Sequence, residues 1–162
     1  MENQDNLSAE QLVEKYAAMI YRIAYARLQN VPDAEDVTQE VFLKYIKADK
    51  KFNDEDHRRR WLIRVTVNTI NSLTRSSARK QTVSLDEAEE IQYTDKEASG
   101  IEDAVKQLPE KYRIPIHLFY FEDMAISQIA KILKSPEGTV KSLLSRGRSK
   151  LKELLKEDYY VR

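Results

Sequence analysis

The segment Arg58–Lys80, RRRWLIRVTVNTINSLTRSSARK, carries six arginines and a lysine and not one acidic side chain. Wound as an α-helix at about 100° per residue, it places Arg60, Arg64, Asn68, Asn71, Arg75 and Arg79 in one narrow stripe. Trp61, Leu62, Ile63, Val65, Val67 and Ile70 surround the rest of its first half, and Leu73 continues one side. The spacing therefore predicts a helix buried between neighbours, with one seam of guanidinium and carboxamide groups left in water. An ordinary wet face mixes both signs of charge, and this one does not. Guanidinium groups suit phosphates and carboxamides can pair with base edges, so the stripe points to nucleic acid.

The composition sets the frame around that helix. A chain of 162 residues with 3 Gly, 4 Pro and 41% hydrophobic residues, and few β-branched alternations, predicts an all-α, soluble protein of one domain or two small ones. No apolar run approaches the roughly 18 residues of a membrane span, and no basic leader precedes an apolar segment. With no cysteine, disulfides and thiolate metal sites are excluded. The net charge of zero conceals segregation: residues 81–103 hold eight acids (Asp86, Glu87, Glu89, Glu90, Asp95, Glu97, Glu102, Asp103) against Lys96. Basic helices on either side balance them.

Upstream of the basic helix, Ser8 and Gln11 form a capping-box pair, and Leu12, Tyr16, Met19, Ile20, Ile23 and Arg27 mark a helical seam to about Leu28. Asn30-Val31-Pro32 breaks it, and Asp33 is expected to cap a second helix. Ala34, Val37, Val41 and Tyr45 give that helix a core stripe. Phe42 and Ile46 are read as filling the gap to the third helix. Leu43, rimmed by Asp36, Gln39 and Glu40, fits a docking surface for another protein better than a core. Asp49–Asp56 reads as a polar loop in which Phe52 most simply tucks into the local core.

Residues 81–100 lack sustained periodicity and read as a flexible acidic linker. Beyond it, Ile101–Leu108 and Glu110–Phe121 read as helices, the second with Tyr112, Ile116, Phe119 and Tyr120 as a dense core. Ser127 is expected to cap a short helix. Lys134-Ser135 turns, and Ser135-Pro136 opens the last helix. Val140, Leu144, Gly147, Leu151 and Leu154 form its inner stripe. Lys141, Ser142, Ser145, Ser149 and Lys152 lie outside, with Arg146 and Arg148 at the margins. Such a pair describes a helix-turn-helix whose second helix enters a major groove; the small Ala130 and Gly147 favour it over a plain helical hairpin.

Three of these segments resemble, in order, parts of the bacterial sigma-70 factors, specifically the compact extracytoplasmic-function (ECF) group. DAEDVTQEVFLKYIK resembles the segment that grips core RNA polymerase. WLIRVTVNTINSLTR resembles the helix that reads and melts the −10 promoter element. LPEKYRIPIHLFYFEDMAISQIAKILKSPEGTVKSLLSRGRSKL resembles the helix-turn-helix for the −35 element. The resemblance implies region 2 over residues 7–80, a linker over 81–100 and region 4 over 101–156. It implies core polymerase contacts at Asp36, Gln39, Glu40 and Leu43. For the −10 element it implies capture of an unstacked base of the non-template strand by the loop around Phe52 to Arg58, together with Asn68, beside the stripe residues Arg60, Arg64, Asn71 and Arg75. For the −35 element it implies Lys141, Ser142, Ser145, Arg146 and Arg148. Core RNA polymerase, promoter DNA and an anti-sigma factor are the partners it implies, in the cytoplasm, with no membrane insertion, cofactor or metal. The sequence departs from the family at Leu143, where an Arg is common, and at Lys134, where Gly is usual.

Two other readings compete. An enzyme needs converging nucleophiles, bases or ligands; His57 sits among cations and His117 in a core-rich helix, and neither has a motif partner. A helix-turn-helix regulator with an N-terminal sensor or dimerisation domain would have no need of the basic stripe.

Overall fold

In a computed structural model, which describes residues 7–79 and 100–160, the chain forms seven α-helices and, among the described residues, no strand. It divides into two compact units, Met1–Glu89 and Glu90–Arg162. The all-α expectation holds. The acidic stretch 81–99 and the side chain of Arg79 lie outside the described residues, and Gly100 opens a helix instead of closing a linker.

The first unit is built from α1 (Ala9–Leu28), α2 (Val31–Ala48) and α3 (Glu55–Arg79), each packed against the other two. Ser8 caps α1 as a capping box: the Gln11 N–H donates to Ser8 Oγ at 3.2 Å, and the Ser8 N–H donates to Gln11 Oε1 at 3.0 Å. The core is the expected one, with Leu12, Tyr16, Met19, Ile20 and Ile23 of α1 against Ala34, Val37 and Val41 of α2 and Leu62, Ile63, Val67 and Ile70 of α3. The cap of α2 is Asn30 and not Asp33: Asn30 Oδ1 accepts the Asp33 N–H at 2.9 Å. Pro32 therefore lies inside the first turn, where its missing N–H would have had no helical partner anyway. Ile46 is 60% exposed and does not fill the gap to α3.

The second unit comprises α4 (Gly100–Gln107), α5 (Glu110–Tyr120), α6 (Ile126–Leu133) and α7 (Glu137–Tyr160), with α7 packed against the other three. Tyr112 and Ile116 are core as expected, but Phe119 is half-buried and Tyr120, the last residue of α5, is exposed. Ala125, not Ser127, stands at the N-cap of α6; its N–H donates to Gln128 Oε1 at 3.2 Å, and Ser127 is an exposed first-turn residue. Gly147 marks the close approach of α5 and α7: a Cβ there would lie 2.9 Å from Ile116 Cγ1 and Cδ1.

The turn of the helix-turn-helix rests on Lys134, at φ 53° and ψ 45°. The Ser135 N–H reaches back to Ala130 O at 3.0 Å and the Lys134 N–H to Lys131 O at 3.3 Å, a Schellman-type end that favours Gly at the left-handed residue. An L side chain in that region carries a penalty of about 1–2 kcal/mol, part of which Gly returns as greater freedom in the unfolded chain. Lys134→Gly is therefore expected to raise stability by about 0.5–1 kcal/mol, read as a higher urea midpoint at unchanged m-value. A midpoint that stays put or falls shows that the turn is unstrained.

Candidate nucleic-acid interface

Two side chains fix where α3 begins. Arg58 is only 1% exposed. Its Nε donates to Tyr45 Oη at 3.1 Å, its guanidinium pairs with Glu55, and its Cζ lies 5.3 Å from the Phe52 ring centre. Glu55 in turn accepts from Tyr16 Oη at 2.5 Å and Lys15 Nζ at 3.1 Å. One carboxylate and one guanidinium thus tie α1, α2 and the start of α3 together. Around them Phe52 stacks on Tyr45, with ring centres 5.8 Å apart, and meets Trp61 edge-on at 5.7 Å.

Phe52 and Arg58, which the resemblance places at the −10 element, are buried in this unit. Phe52 is 4% exposed and Arg58 1%, both with their polar or aromatic surface already spent on protein partners. They are core groups that hold the loop 49–54, whose Lys50, Lys51, Asn53 and Asp54 are exposed. The residue-level reading of Phe52 as core was the right one.

The stripe stands as its periodicity requires. Arg60, Arg64, Asn68, Asn71 and Arg75 are all exposed, while Thr66, Val67, Thr69 and Ile70 between them are buried. Thr66 and Thr69 return their hydroxyls to Leu62 O and Val65 O, each at 2.7 Å, so polar groups on the inner side make no demand on water. Arg60 pairs with Asp56 at 3.1 Å, an exposed contact worth little. Among the described residues no acid pairs with Arg64 or Arg75. From Arg60 to Arg75 the seam runs about 22 Å along the helix.

On α2, Asp36, Gln39, Glu40 and Leu43 are exposed together, Leu43 at 56%. Glu40 has a loose pair with Lys44 at 3.5 Å, and Lys44 Nζ donates to Thr69 Oγ1 at 2.9 Å, locking α2 to α3 behind this surface. On α7, Lys141, Ser142, Ser145, Arg146 and Arg148 are exposed, and Val140, Leu144, Gly147 and Leu151 are buried beneath them. Leu143 is half-buried. The second unit also contains a buried pair that the sequence does not advertise: His117 Nε2 lies 3.2 Å from Glu122 Oε1, and the imidazole stacks on Phe121. Among the described residues no cluster suited to a metal ion occurs, and no helix is long and apolar enough to cross a membrane.

Comparison with known proteins follows the same division. The sigma-70 region 2 family model matches residues 12–80, and the sigma-70 region 4 model matches residues 99–151. The chain is 33% identical to the ECF RNA polymerase sigma factor SigW of Bacillus subtilis, over 90% of this chain and 88% of that protein. It is 25% identical to the RNA polymerase sigma-H factor of Pseudomonas aeruginosa, over 93% of this chain and 88% of that one. Among solved structures it resembles the sigma factor RpoE of Bartonella quintana, crystallised in complex with the anti-sigma factor NepR. That match has a TM-score of 0.72 at 25% identity, covering 91% of this chain and 96% of the other.

Removing the buried guanidinium should unfold geometry and not merely a DNA contact. Arg58→Ala is expected to cost about 3 kcal/mol, the low end for breaking a buried pair, since Glu55 retains Lys15 and Tyr16. Burial raises the pKa of Tyr16, against the pull of Arg58 and Arg59, and only the neutral phenol can donate to Glu55. With the folded pKa above the unfolded one, this stabilisation is complete below about pH 10 and is lost as pH rises past the folded value. Urea titrations from neutral to alkaline pH should show that fall in the wild type and a flatter profile in Tyr16→Phe.

Proposed function

The chain belongs to the ECF group of sigma-70 factors, and from that premise we propose how its two units divide the work of directing core RNA polymerase to a promoter. A sigma factor supplies recognition to a polymerase that lacks it, so this chain acts by binding and itself carries out no catalysis. Region 2 is assigned to residues 7–80, region 4 to 101–156 and the connecting segment to 81–100. The observation that carries the reading is the acid-free seam of α3, exposed from Arg60 to Arg75 on the same three-helix unit as the acid-and-amide surface of α2.

Asp36, Gln39, Glu40 and Leu43 dock the core enzyme. The carboxylates and the amide supply directional contacts around one exposed leucine, the usual arrangement of a polar rim about an apolar point. Asn68 and Asn71, set between Arg60, Arg64 and Arg75, face the −10 element. Their carboxamides can each donate and accept, so they suit unpaired base edges, while the guanidinium groups hold phosphates. The loop around Phe52 captures an unstacked −10 base with the exposed rim of residues 49–54, and Phe52 and Arg58 anchor that rim from inside. Lys141, Ser142, Ser145, Arg146 and Arg148 face the −35 duplex. The work is done in the cytoplasm, and an anti-sigma factor is the regulatory partner, as NepR is of RpoE. A regulator with an N-terminal sensor is not favoured, since region 2 accounts for that whole unit.

Adding the purified protein to core RNA polymerase should produce promoter-specific initiation. Replacing Asp36, Gln39 and Glu40 with Ala should weaken core binding with little loss of fold, because all three are exposed. Equal affinity of variant and wild type in a fluorescence titration would move the docking site elsewhere.

The two DNA surfaces should separate. Asn68→Ala is expected to reduce permanganate-reactive thymines at the promoter while leaving binding to a −35 duplex intact. Lys141→Ala or Arg146→Ala should weaken that duplex binding, by about 1–3 kcal/mol at a base-reading position. A lost phosphate contact would appear instead as a shallower salt dependence. Normal melting by Asn68→Ala, or loss of its −35 binding, removes this division.

A further inference from the structure

The turn that leads into α3 is closed by a titratable side chain. Asp54 occupies the capping position: its Oδ1 accepts the His57 N–H at 2.7 Å, and its carbonyl accepts the Arg58 N–H at 3.2 Å. In a capping box the return bond comes from Glu or Gln at the third helical position. Here that residue is His57, and its Nδ1 accepts the backbone N–H of Asn53 at 3.2 Å. The imidazole also meets the Phe52 ring edge-on at 5.2 Å. One ring therefore touches both the backbone of the exposed rim and the buried aromatic that anchors it.

Nδ1 can accept only while it carries no proton; the imidazolium is a donor at both nitrogens. Protonation would set donor against donor at Asn53 and place a cation at a helix N-terminus, where the backbone dipoles oppose it. The charged groups about the ring are divided. The acids Asp54, Glu55 and Asp56 and the cations Arg58 and Arg59 lie within three residues of His57 in the chain, and Lys50 Nζ lies 5.9 Å from the Phe52 ring centre. Tyr45 of α2 stacks on Phe52, and Lys15 and Tyr16 of α1 reach Glu55.

We infer that His57 is a positioning residue for −10 recognition. As the neutral imidazole it holds residues 52–54 in the turn that presents Asn53 and Asp54 to the non-template strand. Protonation opens that turn and weakens single-strand capture. A loop that must be ordered on binding lowers affinity by the fraction of molecules in which it is formed. The inference rests on the assignment of the loop 49–54 to the −10 element, and its test keeps the two apart.

Holoenzyme assembled with the full chain would be titrated with a fluorescent single-stranded −10 oligonucleotide at pH 7.5 and 5.5, beside a −35 duplex. Wild type should lose about three- to tenfold in −10 affinity on acidification, the worth of one hydrogen bond. His57→Asn, whose amide oxygen can replace Nδ1 without titrating, should bind equally at both pH values. His57→Phe, which keeps a ring beside Phe52 but no acceptor, should bind weakly at both. A parallel fall in wild type and His57→Asn overturns the inference, as does wild-type affinity in His57→Phe at pH 7.5. NMR of the full-length protein gives an answer independent of the variants. The Asn53 amide should shift with the same midpoint as the His57 ring protons, and an amide that ignores that titration also overturns it. Loss of −10 binding at every pH with core binding intact would instead overturn the assignment of the loop, and the positioning role with it.

Discussion

A guanidinium taken almost completely out of water is the constraint on which the N-terminal unit depends. Burying Arg58 costs several kcal/mol of lost hydration unless its donors are all used. The structure turns Nε to Tyr45 and Nη1 to Glu55, and sets Cζ over the Phe52 ring. Lysine could not take this place, since a point charge on a flexible stem cannot serve a carboxylate, a phenol and a ring at once. Because Glu55 also holds Tyr16 and Lys15, the first turn of α3 is bound to α1 as well as α2. The azimuth of α3 is thereby set before its exposed seam begins at Arg60. The three arginines and two asparagines of the stripe from Arg60 to Arg75 face water because another arginine, two positions before the first, does not.

The C-terminal unit reaches a comparable result by closeness and not by charge. Gly147 lets α7 approach Ile116 within a distance that any Cβ would violate. Lys134 in the left-handed region turns the chain between α6 and α7 within a few residues. Val140, Leu144 and Leu151 then seal one side of α7, which leaves its lysines, arginines and serines on the other with no apolar competitor. Between Lys141 and Arg148 the outer face of α7 carries donors and short hydroxyls and no acid, which suits a groove lined with phosphates and base acceptors.

Whatever repeats with the helical period was legible in the sequence. The stripe of α3, the outer face of α7 and the cores of both units follow from spacing alone, and Lys134 could be marked as a turn residue wanting Gly. What was not legible is what links distant positions. Tyr16 and Glu55 lie 39 residues apart, and nothing local in either says that they meet. The caps at Asp33 and Ser127 were misplaced by one turn or less, because Asn30 and Gln128 supply bonds that the nominal capping residues do not. Ile46 and Tyr120 are large and apolar enough for a core, yet Ile46 lies off the Ala34–Val37–Val41 stripe of α2 and Tyr120 is the last residue of α5, past its buried turns. Phe52 shows periodicity and resemblance in conflict. Its isolation in a polar loop argued for burial, and the resemblance drew it toward DNA, but an aromatic stacked on Tyr45 and edged by Trp61 has no free face to offer.

Zero net charge and nucleic-acid binding are compatible only because the charges are sorted. The formal balance of 27 cations and 27 acids would give a chain with mixed charge no reason to approach DNA. Here α3 has acids only in its first turn, at Glu55 and Asp56, and each is engaged by an arginine of the same helix. Beyond Asp56 the helix offers nothing that repels a phosphate. Long-range attraction by the guanidinium groups is screened within about 8 Å at physiological salt, so it brings a strand to the seam without choosing among sequences. Discrimination has to come from groups that act at contact and carry direction, and the exposed carboxamides of Asn68 and Asn71 are groups of that kind. They lie between arginines, one turn apart, on a helix whose rotation is already fixed by Arg58. An amide presented by a mobile element would lose in ordering what it gained in hydrogen bonding; fixed in this way, it can discriminate.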